Sequence, residues 1–211
     1  MPADNLENNM SERSTKHLYP QFEKMLGRSV RETKLGQRSH AFWLYGLSGS
    51  GKSTLAIGLE QRLFNAGYTV QVLDGDNIRS GLNRDLGFSA EDRQENIRRI
   101  AEVAKLFVHS GIVTIASFIT PLQALRDKAR AIVGKNDFTD VYIGASYDEC
   151  ARRDPKGLYA KVHSGKVQQF TGKDSEFEPP EHPDLFVNTE NETPEQSLNC
   201  LFDAVMSKIQ L

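Results

Sequence analysis

The sequence predicts an α/β fold in which helices cover both faces of a parallel sheet, giving three layers. Short apolar runs of strand length alternate with longer amphipathic segments from about residue 39 onward, and this alternation is typical of parallel sheets. A glycine-rich turn joins the first apolar run to the first amphipathic segment. The length of 211 residues suits one domain of this kind.

Local patterns predict the individual elements. Five apolar runs predict strands at residues 41–45, 69–73, 113–117, 140–144 and 185–188. Five segments with a helical apolar period predict helices at residues 52–66, 90–110, 121–133, 147–153 and 194–208. The last helix has the clearest start, because Thr193 precedes Pro194 and Gln196 completes a capping box. Its apolar residues share one face, which predicts packing on the sheet.

Two segments depart from the alternation. Residues 1–38 are polar and charged, with a helical candidate at residues 22–30, and we interpret them as an N-terminal extension that is partly mobile or packs against a partner subunit. Residues 39–211 then form a single domain. Within it, residues 154–183 combine glycines and prolines with Lys156, Lys161, Lys166 and Lys173. Such a segment is typical of a mobile active-site lid, and a surface excursion without a role is the alternative.

Composition excludes several classes of protein. The net charge of −2 argues against a nucleic-acid partner. No stretch approaches the roughly 20 apolar residues of a membrane span, and the polar N-terminus lacks the pattern of a signal peptide. Cys150 and Cys200 lack the paired spacing of a zinc site and predict reduced thiols. We therefore expect a cytoplasmic enzyme or switch without nucleic-acid or membrane partners.

The glycine-rich turn matches the phosphate-binding P-loop pattern G-x-x-x-x-G-K-[ST] in full. It consists of Gly46, Leu47, Ser48, Gly49, Ser50, Gly51, Lys52, Ser53 and Thr54. A strand precedes it and a helix follows, so backbone N–H groups and the positive end of that helix would face phosphate oxygens. We expect Lys52 to reach the β- and γ-phosphates and the Ser53 hydroxyl to ligate Mg²⁺. The pattern predicts binding of a nucleoside triphosphate rather than a plain turn with an exposed lysine.

Two aspartates follow the second predicted strand. Asp74 and Asp76 flank Gly75, at the edge of the sheet where ligands of parallel sheets bind. If the strand order is the usual one, this strand lies next to the P-loop strand. A carboxylate here can hold a Mg²⁺-bound water or accept a proton from an acceptor hydroxyl. Aspartates after a strand also form turns, but two of them beside a P-loop favour a functional role.

The helix predicted at residues 90–110 carries an arginine on its apolar stripe. At about 100° per residue, Arg93 lies within the stripe and Asn96 at its margin. An arginine on a core face requires an anion or a cleft, and the helix N-terminus adds to its attraction for an anion. Arg93 and Asn96 are therefore candidate ligands for an anionic acceptor. Arg79 is their candidate companion, with a surface salt bridge as the alternative.

Several separated strings resemble the adenylylsulfate kinase (APS kinase) family. They are D-G-D-N-I-R at 74–79, G-L-N-R-D-L-G-F-S at 81–89, N-I-R-R at 96–99, D-P-K-G-L-Y at 154–159 and F-T-G at 170–172. The resemblance covers roughly residues 36–190. It implies a three-layer P-loop kinase fold and transfer of the γ-phosphoryl of MgATP to the 3′-hydroxyl of adenosine 5′-phosphosulfate, giving PAPS and ADP. It also suggests a homodimer.

The resemblance implies roles for residues on the acceptor side. Arg79, Arg93 and Asn96 would bind the acceptor, mainly its phosphosulfate group. Phe88 and Phe170 would hold the acceptor adenine between their rings, although Phe88 taken alone reads as a core residue.

It also implies roles nearer the phosphates. Asp76 would lie near the 3′-hydroxyl and Mg²⁺, and Lys52 would clamp the phosphates. Lys156 would bring positive charge from the lid, while Arg152 and Arg153 would lie on the ATP side.

The chain departs from the family pattern after the third predicted strand. The family commonly shows S-F-I-S-P followed by an aromatic residue and an arginine, where this chain has Thr120, Leu122 and Gln123. Thr120 occupies the position of a serine proposed as a phosphorylated site in some members, and its hydroxyl keeps that route open. Direct transfer needs no such intermediate and is the simpler hypothesis. The missing arginine removes one positive charge, which predicts weaker substrate binding.

Three other functions remain as alternatives at this point. The first is a P-loop kinase for another small acceptor, such as a nucleoside or nucleotide. The second is a GTP-dependent switch, which the absence of an N-K-x-D string disfavours. The third is an inactive regulatory homologue, for which the changes at Thr120 and Gln123 are the argument.

Overall fold

Five strands form one parallel sheet in the computed structural model, which describes residues 18–163, 170–173 and 175–211. The strands are β1 (Ala41–Tyr45), β2 (Val70–Asp74), β3 (Val113–Ser117), β4 (Phe138–Gly144) and β5 (Leu185–Asn188). Their order across the sheet is β2-β3-β1-β4-β5, and all neighbouring pairs run parallel. Together with the flanking helices, this confirms the predicted fold class.

The strand order corrects one expectation. The strand of Asp74 and Asp76 is not next to the P-loop strand β1, because β3 lies between β1 and β2. Burial explains the order. All residues of β1 and β3 are buried, whereas β2 contains exposed and half-buried residues and suits the edge of the sheet.

The helices cover both faces of the sheet. They are α1 (Arg28–Leu35), α2 (Lys52–Asn65), α3 (Gly75–Ser80), α4 (Ala90–His109), α5 (Gln123–Val133), α6 (Tyr147–Arg153), α7 (Leu158–His163) and α8 (Pro194–Ile209), with 3₁₀ turns at Phe22–Lys24 and Lys135–Asp137. The five main helices are confirmed with ends that differ by at most two residues, and Thr193 forms the predicted capping box. The single helix predicted at residues 22–30 is wrong, since Gly27 caps the start of α1 and separates it from the 3₁₀ turn. Two six-residue helices, α3 and α7, are too short to show a period.

Two apolar layers enclose the sheet. Leu44 packs with Leu59 and Leu201 beneath α2 and α8. The next side chain back along β1, Trp43, points to the opposite face and packs beneath α4 and α5, as the alternation of a strand requires. In the described part of the chain, no helix is both long enough and apolar enough to cross a membrane.

The described part of the N-terminal extension contacts the domain. Gln37 is fully buried, donates hydrogen bonds to the Thr69 and Gly111 carbonyls over 2.9 and 2.8 Å, and accepts one from Thr69 N–H. Arg28 pairs with Asp137 over 2.6 Å. These bonds attach α1 to the amino-terminal edge of the sheet, opposite the edge that holds the P-loop.

The candidate lid packs on the P-loop. Tyr159 in α7 donates a hydrogen bond to the Ser48 carbonyl over 2.8 Å, and Tyr159 and Phe170 share a buried cluster with Leu47 and Cys150. Lys166, which was predicted to belong to the lid, lies outside the described residues.

Candidate active site

A cleft of about 1030 Å³ opens at the carboxyl edge of the sheet. Its walls come from the P-loop, the segments that follow β2 and β3, the first turns of α4, and the candidate lid. Pockets for single small molecules span roughly 300–1000 Å³, so this cleft lies at the upper end of that range.

The P-loop has the backbone that its glycines predict. Gly46 has φ 148°, and a Cβ atom there would lie 2.4 Å from the Ile143 carbonyl oxygen. Gly51 has φ 99° at the start of α2. Six of the nine predicted residues line the cleft, namely Ser48, Gly49, Gly51, Lys52, Ser53 and Thr54, while Gly46, Leu47 and Ser50 lie behind them.

Lys52 is buried in the floor of the cleft. Its ammonium group donates a hydrogen bond to the Leu47 carbonyl over 2.6 Å. Burial, together with the positive charge of Lys156, lowers the pKa of Lys52 to about 8, although Cys150, Asp74 and Asp76 act in the opposite direction. An anion bound in the loop would stabilise the charged form of this lysine.

The two aspartates of the D-G-D string face different partners. The Ser53 hydroxyl donates a hydrogen bond to the Asp74 carboxylate over 2.8 Å, and that carboxylate also caps α3. Asp76 forms an ion pair with Lys156 of the candidate lid, and both side chains are more than half exposed. The structure therefore places Asp74 on the P-loop side of the cleft and Asp76 on the lid side.

Arg79 and Phe88 form one end of the cleft. The Arg79 guanidinium lies 4.4 Å from the centre of the Phe88 ring and donates a hydrogen bond to the Gly87 carbonyl over 2.8 Å. Phe88 is 63% exposed, so the interpretation of this residue as part of the core is wrong. An exposed aromatic face beside a cation is available to a flat ligand.

Arg93 connects three walls of the cleft. It donates hydrogen bonds to the Phe88 carbonyl over 3.0 Å and to the Thr171 hydroxyl over 2.7 Å. Burial and the nearby charge of Arg79 lower the pKa of Arg93. Two cations at one end of a cleft favour an anionic ligand there. Phe170, the neighbour of Thr171, lines the same space and packs edge-on against Tyr159.

Asn96 lies deeper in the same wall and is buried. Its side-chain oxygen accepts a hydrogen bond from the buried Asn83 amide over 2.9 Å. Asn83 was not among the predicted site residues. Its position within the G-L-N-R-D-L-G-F string was the only signal for it.

Thr120 is buried at the back of the cleft, with φ 40°. Its hydroxyl accepts a hydrogen bond from the Trp43 indole over 2.9 Å. The buried Arg126 donates to the Thr120 carbonyl over 3.1 Å, to the Glu178 carbonyl over 2.9 Å and to Gln123 Oε1 over 3.0 Å. Arg126 was missed by the sequence analysis, although it is a second arginine on an apolar helix face.

The residues predicted for the ATP side, Arg152 and Arg153, line another part of the cleft. Arg153 donates a hydrogen bond to Glu149 over 2.7 Å and another to the Thr189 carbonyl, and the Thr189 hydroxyl donates to the Ser50 carbonyl over 2.8 Å. Arg152 pairs with the same glutamate but is mostly exposed. The side chains of Glu149, Arg152, Arg153 and Thr189 line the cleft. The structure therefore brings every predicted site residue to this one space except Gly46, Leu47 and Ser50 of the P-loop.

Comparison with known proteins identifies the family. The model of the family described as adenylylsulphate kinase matches residues 38–188. An adenylyl-sulfate kinase of Bacteroides thetaiotaomicron is 53% identical over 194 residues, covering 92% of this chain and 96% of that protein. Another from Clostridium kluyveri is 50% identical over 186 residues, covering 88% and 93%.

A solved structure agrees in fold. The Mycobacterium tuberculosis APS kinase CysC, determined in complex with AMPPNP and APS, superimposes with a TM-score of 0.77 at 41% identity. The match covers 80% of this chain and 98% of that one. The family model spans the P-loop and the two arginines of the cleft, Arg79 and Arg93, and on these grounds the chain belongs to the adenylylsulfate kinase family.

Proposed function

We propose that this protein transfers the γ-phosphoryl group of ATP to the 3′-hydroxyl of adenosine 5′-phosphosulfate, producing PAPS and ADP. One observation carries the proposal: a complete P-loop and a pair of arginines, Arg79 and Arg93, face the same cleft. The P-loop suits the triphosphate donor, and the arginines suit an acceptor that carries its own negative charge.

ATP would occupy the P-loop end. The backbone of residues 46–54 would surround the phosphates, and Lys52 would bind the β- and γ-phosphates. The nucleoside would extend toward Arg153 and Thr189, which line the far wall and bond to each other. The hydrogen bond of Thr189 to the Ser50 carbonyl connects this wall to the P-loop. The phosphates and the nucleoside of ATP would therefore contact two connected parts of the cleft.

The residues beside Lys52 fit Mg²⁺. Ser53 and Asp74 present a hydroxyl and a carboxylate 2.8 Å apart, and oxygen ligands of this kind are the ones that Mg²⁺ prefers. When bound, the ion would neutralise charge on the transferring phosphoryl group. Asp76, the metal-site candidate from the sequence, lines the same cleft and would supply a further carboxylate.

The acceptor would occupy the arginine end. Arg79, Arg93 and Asn96 would bind its phosphosulfate group through charge-assisted and amide hydrogen bonds. Phe88 and Phe170 would contact the two faces of its adenine, since both rings line the cleft.

Asp76 would orient the 3′-hydroxyl and accept its proton as transfer proceeds. Its present partner Lys156 belongs to the candidate lid, and we propose that closure of residues 154–183 brings this lysine to the phosphates. Water would then be excluded, which limits hydrolysis of ATP.

We propose direct transfer rather than a phosphothreonine intermediate. The Thr120 hydroxyl is buried and already accepts a hydrogen bond from Trp43. A nucleophile would have to be accessible and activated by a base within hydrogen-bond reach, whereas Trp43 can only donate.

We propose that the protein is a cytoplasmic homodimer. Both cysteines are free thiols, as is usual in a reducing compartment. Tyr19, Leu26 and Val30 are each more than half exposed on the N-terminal extension, and apolar patches of this kind often bind a partner. Light scattering coupled to size-exclusion chromatography tests the dimer, because a monomeric mass at micromolar concentration would contradict it.

The decisive experiment is a coupled assay with MgATP and adenosine 5′-phosphosulfate. We expect equal amounts of PAPS and ADP, formed only when both substrates are present. AMP serves as the control acceptor, because it lacks the sulfate that Arg79 and Arg93 are proposed to bind. Release of ADP that does not depend on the acceptor, or equal use of AMP, would overturn the proposal.

A further inference from the structure

One wall of the cleft contains a buried hydroxyl that has no partner among the residues the structure describes. Ser117, the last residue of β3, is 3% exposed and lines the cleft. Within the described residues its Oγ atom forms no hydrogen bond. A buried polar atom without a partner is costly, and buried hydroxyls are nearly always satisfied by protein, water or ligand. A ligand of the cleft is therefore the expected partner.

The strand register shows which part of the cleft this hydroxyl faces. Ser117 is paired with Leu44 of β1 on one side and with Asp74 of β2 on the other. Residues paired across parallel strands point to the same face of the sheet. Leu44 packs in the cluster beneath α2, and α2 begins with Lys52 and Ser53.

Ser117 therefore lies between the P-loop strand and the carboxylate that holds Ser53. Strand spacing of about 4.8 Å separates Ser117 from each neighbouring strand. Asp74 reaches across β3 to the P-loop through its bond to Ser53. The residue at the end of β3 is thus directly beside the region proposed for the metal and the γ-phosphate.

We propose that the Ser117 hydroxyl accepts a hydrogen bond from a water molecule in the hydration shell of Mg²⁺, and so positions the metal–nucleotide complex against the P-loop. The inference rests on the proposed function. Mg²⁺ keeps several waters when it binds nucleotides on proteins, and such waters need acceptors. The Asp74 carboxylate and the Ser117 oxygen, which are paired on neighbouring strands, are two acceptors beside this region. Ser117 is then a positioning residue for this reaction.

The test compares Ser117→Ala with Ser117→Cys, using Mn²⁺ and AMPPNP as probes. Electron paramagnetic resonance measures free Mn²⁺ in the presence of enzyme and AMPPNP. Loss of one hydrogen bond predicts Mn²⁺ affinity weaker by about 3- to 10-fold in both variants, with AMPPNP affinity in EDTA unchanged. The thiol fills the space but accepts hydrogen bonds weakly, so the cysteine variant separates the bond from the packing.

Thermal unfolding of the ligand-free protein supplies a second readout. Because the hydroxyl has no partner in the described part of the chain, Ser117→Ala is expected to leave the unfolding midpoint unchanged or to raise it by about 2–4 °C. The control is Ser39→Ala, which removes a buried hydroxyl that donates to Glu32 over 2.7 Å far from the cleft. This control should lower the midpoint and leave Mn²⁺ affinity unchanged.

Each alternative result overturns the inference. Unchanged Mn²⁺ affinity in both variants means that the hydroxyl does not contact the hydration shell of the metal. Parent-like Mn²⁺ affinity in Ser117→Cys, with weaker affinity in Ser117→Ala, means that packing alone matters. A midpoint lowered as much as in Ser39→Ala means that the hydroxyl is bonded within the ligand-free protein. If the parent enzyme itself fails to bind Mn²⁺ with AMPPNP, the proposed function fails as well, which distinguishes the two failures.

Discussion

Asn83 determines which way the Asn96 amide faces. The Asn83 side chain donates its N–H to the Asn96 oxygen over 2.9 Å, and both side chains are buried. Because the oxygen of Asn96 is engaged in this way, its NH₂ group is the part left to face the cleft. The pair therefore presents a hydrogen-bond donor, which suits an anionic acceptor.

Replacing Asn83 with aspartate should reverse this orientation. A carboxylate only accepts hydrogen bonds, so Asn96 would turn its NH₂ group toward residue 83 and its oxygen toward the cleft. We expect KM for adenosine 5′-phosphosulfate to rise about 10-fold, with KM for ATP within about twofold. Steady-state kinetics with each substrate varied in turn gives both values. The control Asn65→Asp makes the same change at the exposed end of α2 and should match the parent, while an equal rise in both KM values would reject the orientation argument.

Arg93→Ala should damage acceptor binding selectively. The arginine would contribute charge-assisted hydrogen bonds worth about 1.5–3 kcal/mol, so KM for the acceptor should rise by about 10- to 100-fold. ATP binding should change little, because Arg93 lies at the end of the cleft away from the P-loop. Arg98→Ala is the matched control, since Arg98 pairs with Glu95 on the outer side of the same helix. Comparable loss of ATP binding in Arg93→Ala would remove the role assigned to this arginine.

Thr120→Ala should retain turnover but lose stability. Without the threonine hydroxyl, the buried Trp43 N–H has no acceptor, and the free energy of unfolding should fall by about 1–3 kcal/mol. Urea denaturation measures the loss, and the coupled assay measures turnover. Complete inactivity of a folded variant, or phosphate on Thr120 of the parent during turnover, would favour the phospho-enzyme route instead.

Binding of nucleotide near pH 8 should be accompanied by protonation of Lys52. Burial lowers the pKa of Lys52 to about 8 in the free protein, and phosphate oxygens would raise it by stabilising the ammonium form. At pH 8 about half of the lysines therefore gain a proton on binding, whereas at pH 6.5 nearly all carry it already. Calorimetric titration with MgAMPPNP in buffers of different ionisation enthalpy reports the uptake. Net proton release at pH 8 would contradict the expected sign.

The protein should lose stability as the pH falls through 6.5. Burial lowers the pKa of His40 to about 4, helped by Arg28 and Lys208 and opposed by Asp137 and Asp184. Between pH 6.5 and 4 the unfolded chain binds more protons than the folded one, so stability rises with pH in this window. The full effect below pH 4 is on the order of 3 kcal/mol.

Urea denaturation at pH 7 and pH 5 checks this linkage. His40→Gln should reduce the difference between the two conditions, because glutamine can still bond to Thr139 but does not titrate. The exposed His109 provides the control variant, His109→Gln, which should keep the pH dependence of the parent. Equal pH dependence in parent and His40→Gln would exclude His40 as the source.

Much of the donor end of the cleft could be predicted because its information is local. The P-loop depends on nine consecutive residues whose spacing determines the backbone conformation. The strand before it and the helix after it were predicted from the pattern of apolar residues over similarly short stretches of chain. Arg93 could be predicted for a similar reason, since a charged residue on an apolar helix face is visible in its own helix.

Contacts between distant segments could not be predicted in this way. Arg126 donates hydrogen bonds to the Thr120 carbonyl and to the Glu178 carbonyl, the latter 52 residues further along the chain. Asn83 reaches Asn96 across the turn that starts α4. None of these bonds has a periodic signal, because each depends on where two elements come to lie after packing. The exposed position of Phe88 has the same origin, since apolar character alone predicts burial.

The sequence by itself determined that a triphosphate site, a D-G-D turn and an arginine on an apolar face belong to one α/β domain. Only the tertiary structure decided how their side chains are paired. It placed β3 between β1 and β2, linked Asp74 to Ser53 and Asp76 to Lys156, and left the buried Ser117 hydroxyl at the cleft without a partner among the described residues. The physical reason is that strand order and side-chain pairing depend on burial and packing over the whole sheet, whereas motifs and periods depend only on neighbours along the chain.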